Sequence, residues 1–113
     1  MLRIVVLAGS PKGETSVTVQ YVRYLERVLH AHDLKIVQIS QPIKQIESDT
    51  DAFDAVIADV ADSDLVLWAF PLYFMLVPSQ YKRFVELIWE RSAEHVFRHK
   101  YAAVLTTSIH FFD

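Results

Sequence analysis

Apolar and polar positions along this chain switch between two periods. Residues 2–8 are almost continuously apolar and β-branched, the pattern of a parallel strand buried on both faces. From about residue 16 to 32, Val17, Tyr21, Leu25, Val28 and Leu29 recur at helical spacing and predict an amphipathic helix with that stripe turned inward. Residues 34–39 predict a second strand, which Lys35 and Gln38 interrupt, as suits a sheet edge. Residues 40–50, with Pro42, read as a connection. Asp49, Asp51 and Asp54 crowd the start of the next helix, where carboxylates cap free N–H groups and suit the helix dipole. Phe53, Val56, Ile57 and Val60 form its buried face. Residues 65–70 are wholly apolar and predict a central strand. After a loop at 71–77, Pro78 sits where a first-turn proline belongs, and Tyr81, Phe84, Val85 and Ile88 mark a third helix. A polar connection over 91–100 leads to a fourth strand at 101–106.

Strands and helices therefore alternate through four strands, with no internal repeat. Such alternation predicts an α/β fold with a parallel sheet, right-handed crossovers and helices on both faces. The edge character of the second strand, and the central character of the first and third, predict the order 2-1-3-4. In such sheets ligands bind beyond the strand carboxyl ends, where the order reverses. Loops 9–16, 71–77 and 106–113 are expected to converge there.

Composition narrows the classes. With 113 residues, the chain is expected to be a single domain over 1–113. A 52% hydrophobic and 22% charged composition argues for a globular domain. The mean hydropathy of +0.21 fits strands covered on both faces, or a surface meant for a partner. A net charge of −3 does not suit a nucleic-acid binder, and the basic cluster Arg98-His99-Lys100 reads as a solvated loop. No cysteine is present, which excludes disulfides, thiolate metal sites and iron–sulfur clusters. No apolar run reaches spanning length and no signal-peptide pattern opens the chain, so no membrane association and a cytoplasmic location are expected.

The first loop reads Gly-Ser-Pro-Lys-Gly-Glu-Thr-Ser and joins a strand to a helix start, the setting of an anion pocket. Ser10, Thr15 and Ser16 offer hydroxyls and Lys12 a positive charge. The loop is not a Walker A loop, because Gly9 to Gly13 is too short a spacing and no Lys-Ser/Thr follows Gly13, and it is not a dinucleotide fingerprint, since the chain has only these two glycines. An ordinary capped helix start is the competing reading. The second loop, with Pro71, Leu72, Tyr73 and Phe74, is apolar and aromatic where loops are normally polar. It suits a wall for a flat ring, or else a satellite core or subunit contact. Thr107 and Ser108 of the third loop could add hydroxyls. His110 is a candidate proton donor, and a lone histidine at a strand end also serves as a structural or solvated residue. The other histidines show no metal-ligand spacing, so no metal site is expected.

Gly9-Ser10-Pro11-Lys12, with Thr15-Ser16, resembles the flavin-phosphate loop of the flavodoxin-like NAD(P)H-dependent FMN reductase family. The apolar strand running into Pro71-Leu72-Tyr73-Phe74, followed by Pro78 and Lys82, is the stronger match. The resemblance implies a flavodoxin-like three-layer sandwich with FMN as cofactor and NAD(P)H as co-substrate. It implies hydride transfer to a small acceptor such as a flavin or quinone. It places Ser10, Lys12, Thr15 and Ser16 on the FMN phosphate, and Pro71, Leu72, Tyr73 and Phe74 around the ring. Thr107, Ser108 and His110 would border that ring. No catalytic side chain is implied, because the flavin carries the hydride, with His110 a candidate neighbour. Family members continue through a further helix, a fifth strand and a last helix, which this chain lacks. The expectation is thus a C-terminally incomplete domain that associates with another copy, as a dimer or other homo-oligomer. The alternatives are a flavodoxin-type electron carrier and a non-enzymatic half-domain completed by a partner chain.

Overall fold

A computed structural model describes residues 1–73 and 76–108. Strand β1 (Arg3–Ala8) pairs in parallel with β2 (Asp33–Gln38) on one side and β3 (Leu65–Leu72) on the other. Strand β4 (Tyr101–Ser108) continues the parallel sheet beyond β3, giving the expected order 2-1-3-4. β1 is buried from Ile4 to Ala8, as its apolar run requires of a strand covered on both faces. Helix α1 (Val17–Val28) covers one face, where Val22 packs on Ile4, Val6, Leu67 and Ala69. Helices α2 (Ile43–Ser48), α3 (Thr50–Ala61) and α4 (Ser79–Glu90) belong to the other, where Ile46, Phe53, Val60 and Phe84 cluster with Val5, Leu7 and Val66. The whole is an α/β flavodoxin-like arrangement. No helix among the described residues is long and apolar enough to cross a membrane.

Local signals place the element ends. Asp49 caps α3 by accepting from the N–H of Asp51 at 3.0 Å, and Ser16 caps α1 by accepting from Val19 at 3.0 Å. Asp64 accepts from the N–H of Arg3 at 2.9 Å, which ties the starts of β1 and β3 together.

Four expectations need correction. The stripe Val17, Tyr21, Leu25, Val28 and Leu29 is not the buried face of α1. Thr18, Val19 and Val22 are buried, Leu25 and Leu29 are half-buried, and Val17, Tyr21 and Val28 are exposed. The helix carries two apolar stripes, and the one inside packs Val22, Leu25 and Leu29 on the sheet, with Thr18 bonded to Thr107 of β4. The connection over 40–50 contains α2, whose Ile43 and Ile46 reach the core. In α4, Leu87 is buried and Val85 lies at the surface. Finally, β3 runs on through Pro71 to Leu72, and β4 runs to Ser108. The proline is tolerated for a directional reason. Gly9 donates to the Ala69 carbonyl, so Ala69 faces β1 along its backbone; Pro71, two residues on, faces the same side beyond the last β1 residue, Ala8. Its missing N–H interrupts no ladder there.

Candidate functional site

The first loop is braced by neighbouring residues and by its own side chains. The Gly9 N–H donates to Ala69 O at 2.7 Å, and the Gly9 carbonyl accepts from Ser40 Oγ. A Cβ at Gly9 would lie 2.6 Å from Tyr81 Cδ1 and 2.8 Å from Phe70 Cβ, so the chain passes only as glycine. Ser10 is buried, and its Oγ accepts from the N–H of Lys12 at 3.2 Å. A short 3-10 turn, Gly13–Thr15, follows, with Gly13 at φ 60°. The N–H groups of Val17 and Thr18 have no acceptor among the described residues, as expected of the first turn of α1.

This loop meets the ends of β3 and β4 around a hollow of about 180 Å³. Ser10, Lys12 and Ser16 line it from the first loop, Pro71, Leu72 and Tyr73 from β3 and just beyond, and Thr107 and Ser108 from β4. The described parts of the three expected corners therefore come together. Thr15 is not among the lining residues; its Oγ1 donates to Lys12 O at 2.9 Å and so stiffens the turn. Phe74 and His110 lie outside the described residues. Past the end of β3, Tyr73 and Leu76 exchange two backbone bonds of 2.9 Å.

Two lining residues escaped the sequence reading, Val17 and Thr18. Thr18 Oγ1 and Thr107 Oγ1 lie 2.9 Å apart in a shared hydrogen bond. The available signal was a hydroxyl residue in the first turn of the helix that follows the loop.

Lys12 makes no ion pair among the described residues. Its neighbour Glu14 is taken up by Arg23 at 2.9 Å. The described walls thus offer hydroxyls, backbone N–H groups and one ammonium, with no carboxylate or imidazole. That set suits an anion and contains no nucleophile with a paired base. Among the described residues no cluster of three or more His, Asp or Glu could hold a metal.

A larger hollow of about 470 Å³ lies where β3 and β4 begin, away from this loop, with Val66, Trp68, Ile88 and Phe97 in its mostly apolar wall. The Lys100 ammonium at its rim is held by the carbonyls of Ala61 and Ser63. Size therefore does not mark the site; the donor set does.

The model of a protein family described as NADPH-dependent FMN reductase matches residues 2–111. No curated protein matches the chain.

Proposed function

The chain belongs to the NADPH-dependent FMN reductase family, and we propose on that premise that it takes FMN at the hollow beside Lys12 and passes hydride from NADPH to a small acceptor. A free flavin or a quinone fits that acceptor class. The observation that carries this reading is the meeting of the Lys12 loop, the Leu72–Tyr73 corner and the Thr107–Ser108 hydroxyls at one edge of the sheet.

The donor set suits the phosphate end of the cofactor. Lys12 at about 4 Å from a phosphate oxygen gains at most about 4 kcal/mol per unit charge at an effective dielectric near 20. Its exposure to solvent reduces that figure. The free N–H groups of Val17 and Thr18 add roughly 0.3–1 kcal/mol through the helix terminus. The enclosed space is smaller than the roughly 300–1,000 Å³ of a cleft that swallows a drug-sized ligand. We therefore assign it the phosphate and adjoining chain, with Leu72 and Tyr73 as the apolar border toward the ring. The bound flavin would supply the hydride acceptor and donor, which leaves binding, orientation and water exclusion to the side chains.

Titration of the purified protein with FMN and with riboflavin, followed by flavin fluorescence, tests the reading, together with NADPH oxidation by the loaded protein. Uptake of FMN in preference to riboflavin is expected. No FMN uptake at roughly tens of micromolar, within the usual range of cofactor and substrate affinities, overturns it. Equal affinity for both removes the phosphate role of the loop.

A second proposal concerns assembly. Val17, Tyr21, Tyr24 and Val28 are all more than half exposed along α1, an apolar stripe that water solvates poorly. This supports association with a second copy of the chain. Sedimentation velocity across a dilution series is the check, and a monomer at every concentration overturns it.

A further inference from the structure

Tyr81 lies in the first turn of α4 with 2% of its surface exposed, and touches none of the hollow directly. Its hydroxyl donates to Leu7 O at 2.6 Å, near the end of β1. Its ring lies against Gly9, the first residue of the anion loop, close enough to forbid a Cβ there. The same ring meets Phe70 on β3 at 5.2 Å between centroids, and Trp68 edge-on at 6.1 Å. One side chain thus touches the end of β1, the start of the loop, and the strand that carries Pro71 and Leu72 into the hollow.

Apolar bulk alone does not account for this residue. Phenylalanine would fill the same space without bringing a hydroxyl out of water. A buried hydroxyl costs free energy unless it is bonded, so the bond to Leu7 fixes the ring in one place. Burial pushes the phenol well above its usual range, partly offset by a backbone hydrogen bond at Ala69, so it remains a neutral donor.

We infer that Tyr81 is a positioning residue: wedged beneath Gly9 and bonded to Leu7, it sets the separation of the Lys12 loop from the end of β3 and thereby the shape of the anion hollow. Its effect on FMN rests on the flavin reading above; its effect on the loop does not.

The test compares the unchanged protein with Tyr81→Phe, which keeps the ring and removes the bond. Phe53→Leu, a change in the core on α3, serves as the control for general loosening. All three are examined at a temperature where each is fully folded by circular dichroism. The readouts are FMN affinity by fluorescence titration and, in the free protein, amide hydrogen exchange at Gly9 and Lys12. Loss of one buried hydrogen bond corresponds to about a tenfold change in an equilibrium. Tyr81→Phe should therefore weaken FMN by up to about tenfold and speed exchange at Gly9 and Lys12, while Phe53→Leu does neither. Unchanged exchange at both amides in Tyr81→Phe overturns the inference, and so does an equal acceleration in Phe53→Leu. If the unchanged protein takes up no FMN, the flavin reading falls, while the exchange comparison still decides the role of Tyr81.

Discussion

Thr18 and Thr107 share a hydrogen bond of 2.9 Å between side-chain oxygens that stand 89 residues apart in the chain. The bond joins the first turn of α1 to the end of β4 at the wall of the hollow. Removing one partner leaves the other hydroxyl unmatched, which costs about 1–3 kcal/mol when the group is buried. Thr18 is 1% exposed. Thr107→Val should lower stability by about 1–2 kcal/mol in urea unfolding, whereas Thr18→Val with Thr107→Val should cost less than the two single changes summed. Strict additivity in that double-mutant cycle would show that the bond carries no coupling.

Lys12 is exposed and free of ion pairs among the described residues, so its charge serves the hollow more than the fold. Lys12→Gln should leave the urea midpoint within about 0.5 kcal/mol of the unchanged protein. FMN affinity should fall about tenfold or more, with riboflavin affinity unaltered. The FMN affinity of the unchanged protein should also weaken with salt, since an exposed charge is screened beyond about 8–10 Å at physiological ionic strength. Isothermal titration at two salt concentrations reads both effects.

Gly9→Ala would drive a methyl group to 2.6 Å from Tyr81 Cδ1. The Phe70 Cβ at 2.8 Å and the buried Tyr81 ring leave little room to yield. Overpacking of this kind costs about 1–3 kcal/mol, and the thermal midpoint should fall accordingly. Gly13→Ala should also destabilise, for a different reason. Its nearest contact, Gln41 Cγ at 3.6 Å, is ordinary, and the cost comes from φ 60°.

Acid should weaken the fold through two carboxylates. Arg83 donates to Glu47 Oε2 at 2.7 and 3.1 Å, and this bond holds the Glu47 carboxyl below its ordinary 4.5. The Arg3 N–H, with the Arg3 charge, holds Asp64 below 3.8. Arg83, bonded to Glu47, Glu90 and Glu86, is pushed upward and stays charged throughout. Carboxyls lowered on folding stabilise the protein fully above their unfolded values and lose that contribution as pH falls through the lowered folded values. The thermal midpoint should therefore hold steady above the ordinary carboxylate range and decline from about pH 4.5 downward. Glu47→Gln should flatten part of that decline, which a series of melts across acid pH would reveal.

Much of the molecule is written in local patterns. The apolar block before Gly9 announces a covered strand, and Lys35 and Gln38 announce an edge. Asp49 marks the start of α3 because a carboxylate there meets an unpaired N–H. Helix α2 was harder to see: it has six residues, less than two turns, and only Ile43 and Ile46 to signal a buried face. The extension of β3 through Pro71 was hidden for another reason. Proline reads as a strand breaker until β1 is known to stop short of it.

Sequence alone settled the alternation of strands and helices and the order 2-1-3-4, because each was read from period and from the edge or central character of residues close in the chain. The buried side of α1, the junction of Thr18 with Thr107, and the wedge of Tyr81 under Gly9 were decided by the folded form. Two stripes on one helix are equivalent to a local rule, and only the sheet residues Ile4, Val6, Leu67 and Ala69, with Thr107 standing 89 residues from Thr18, make one of them the inside.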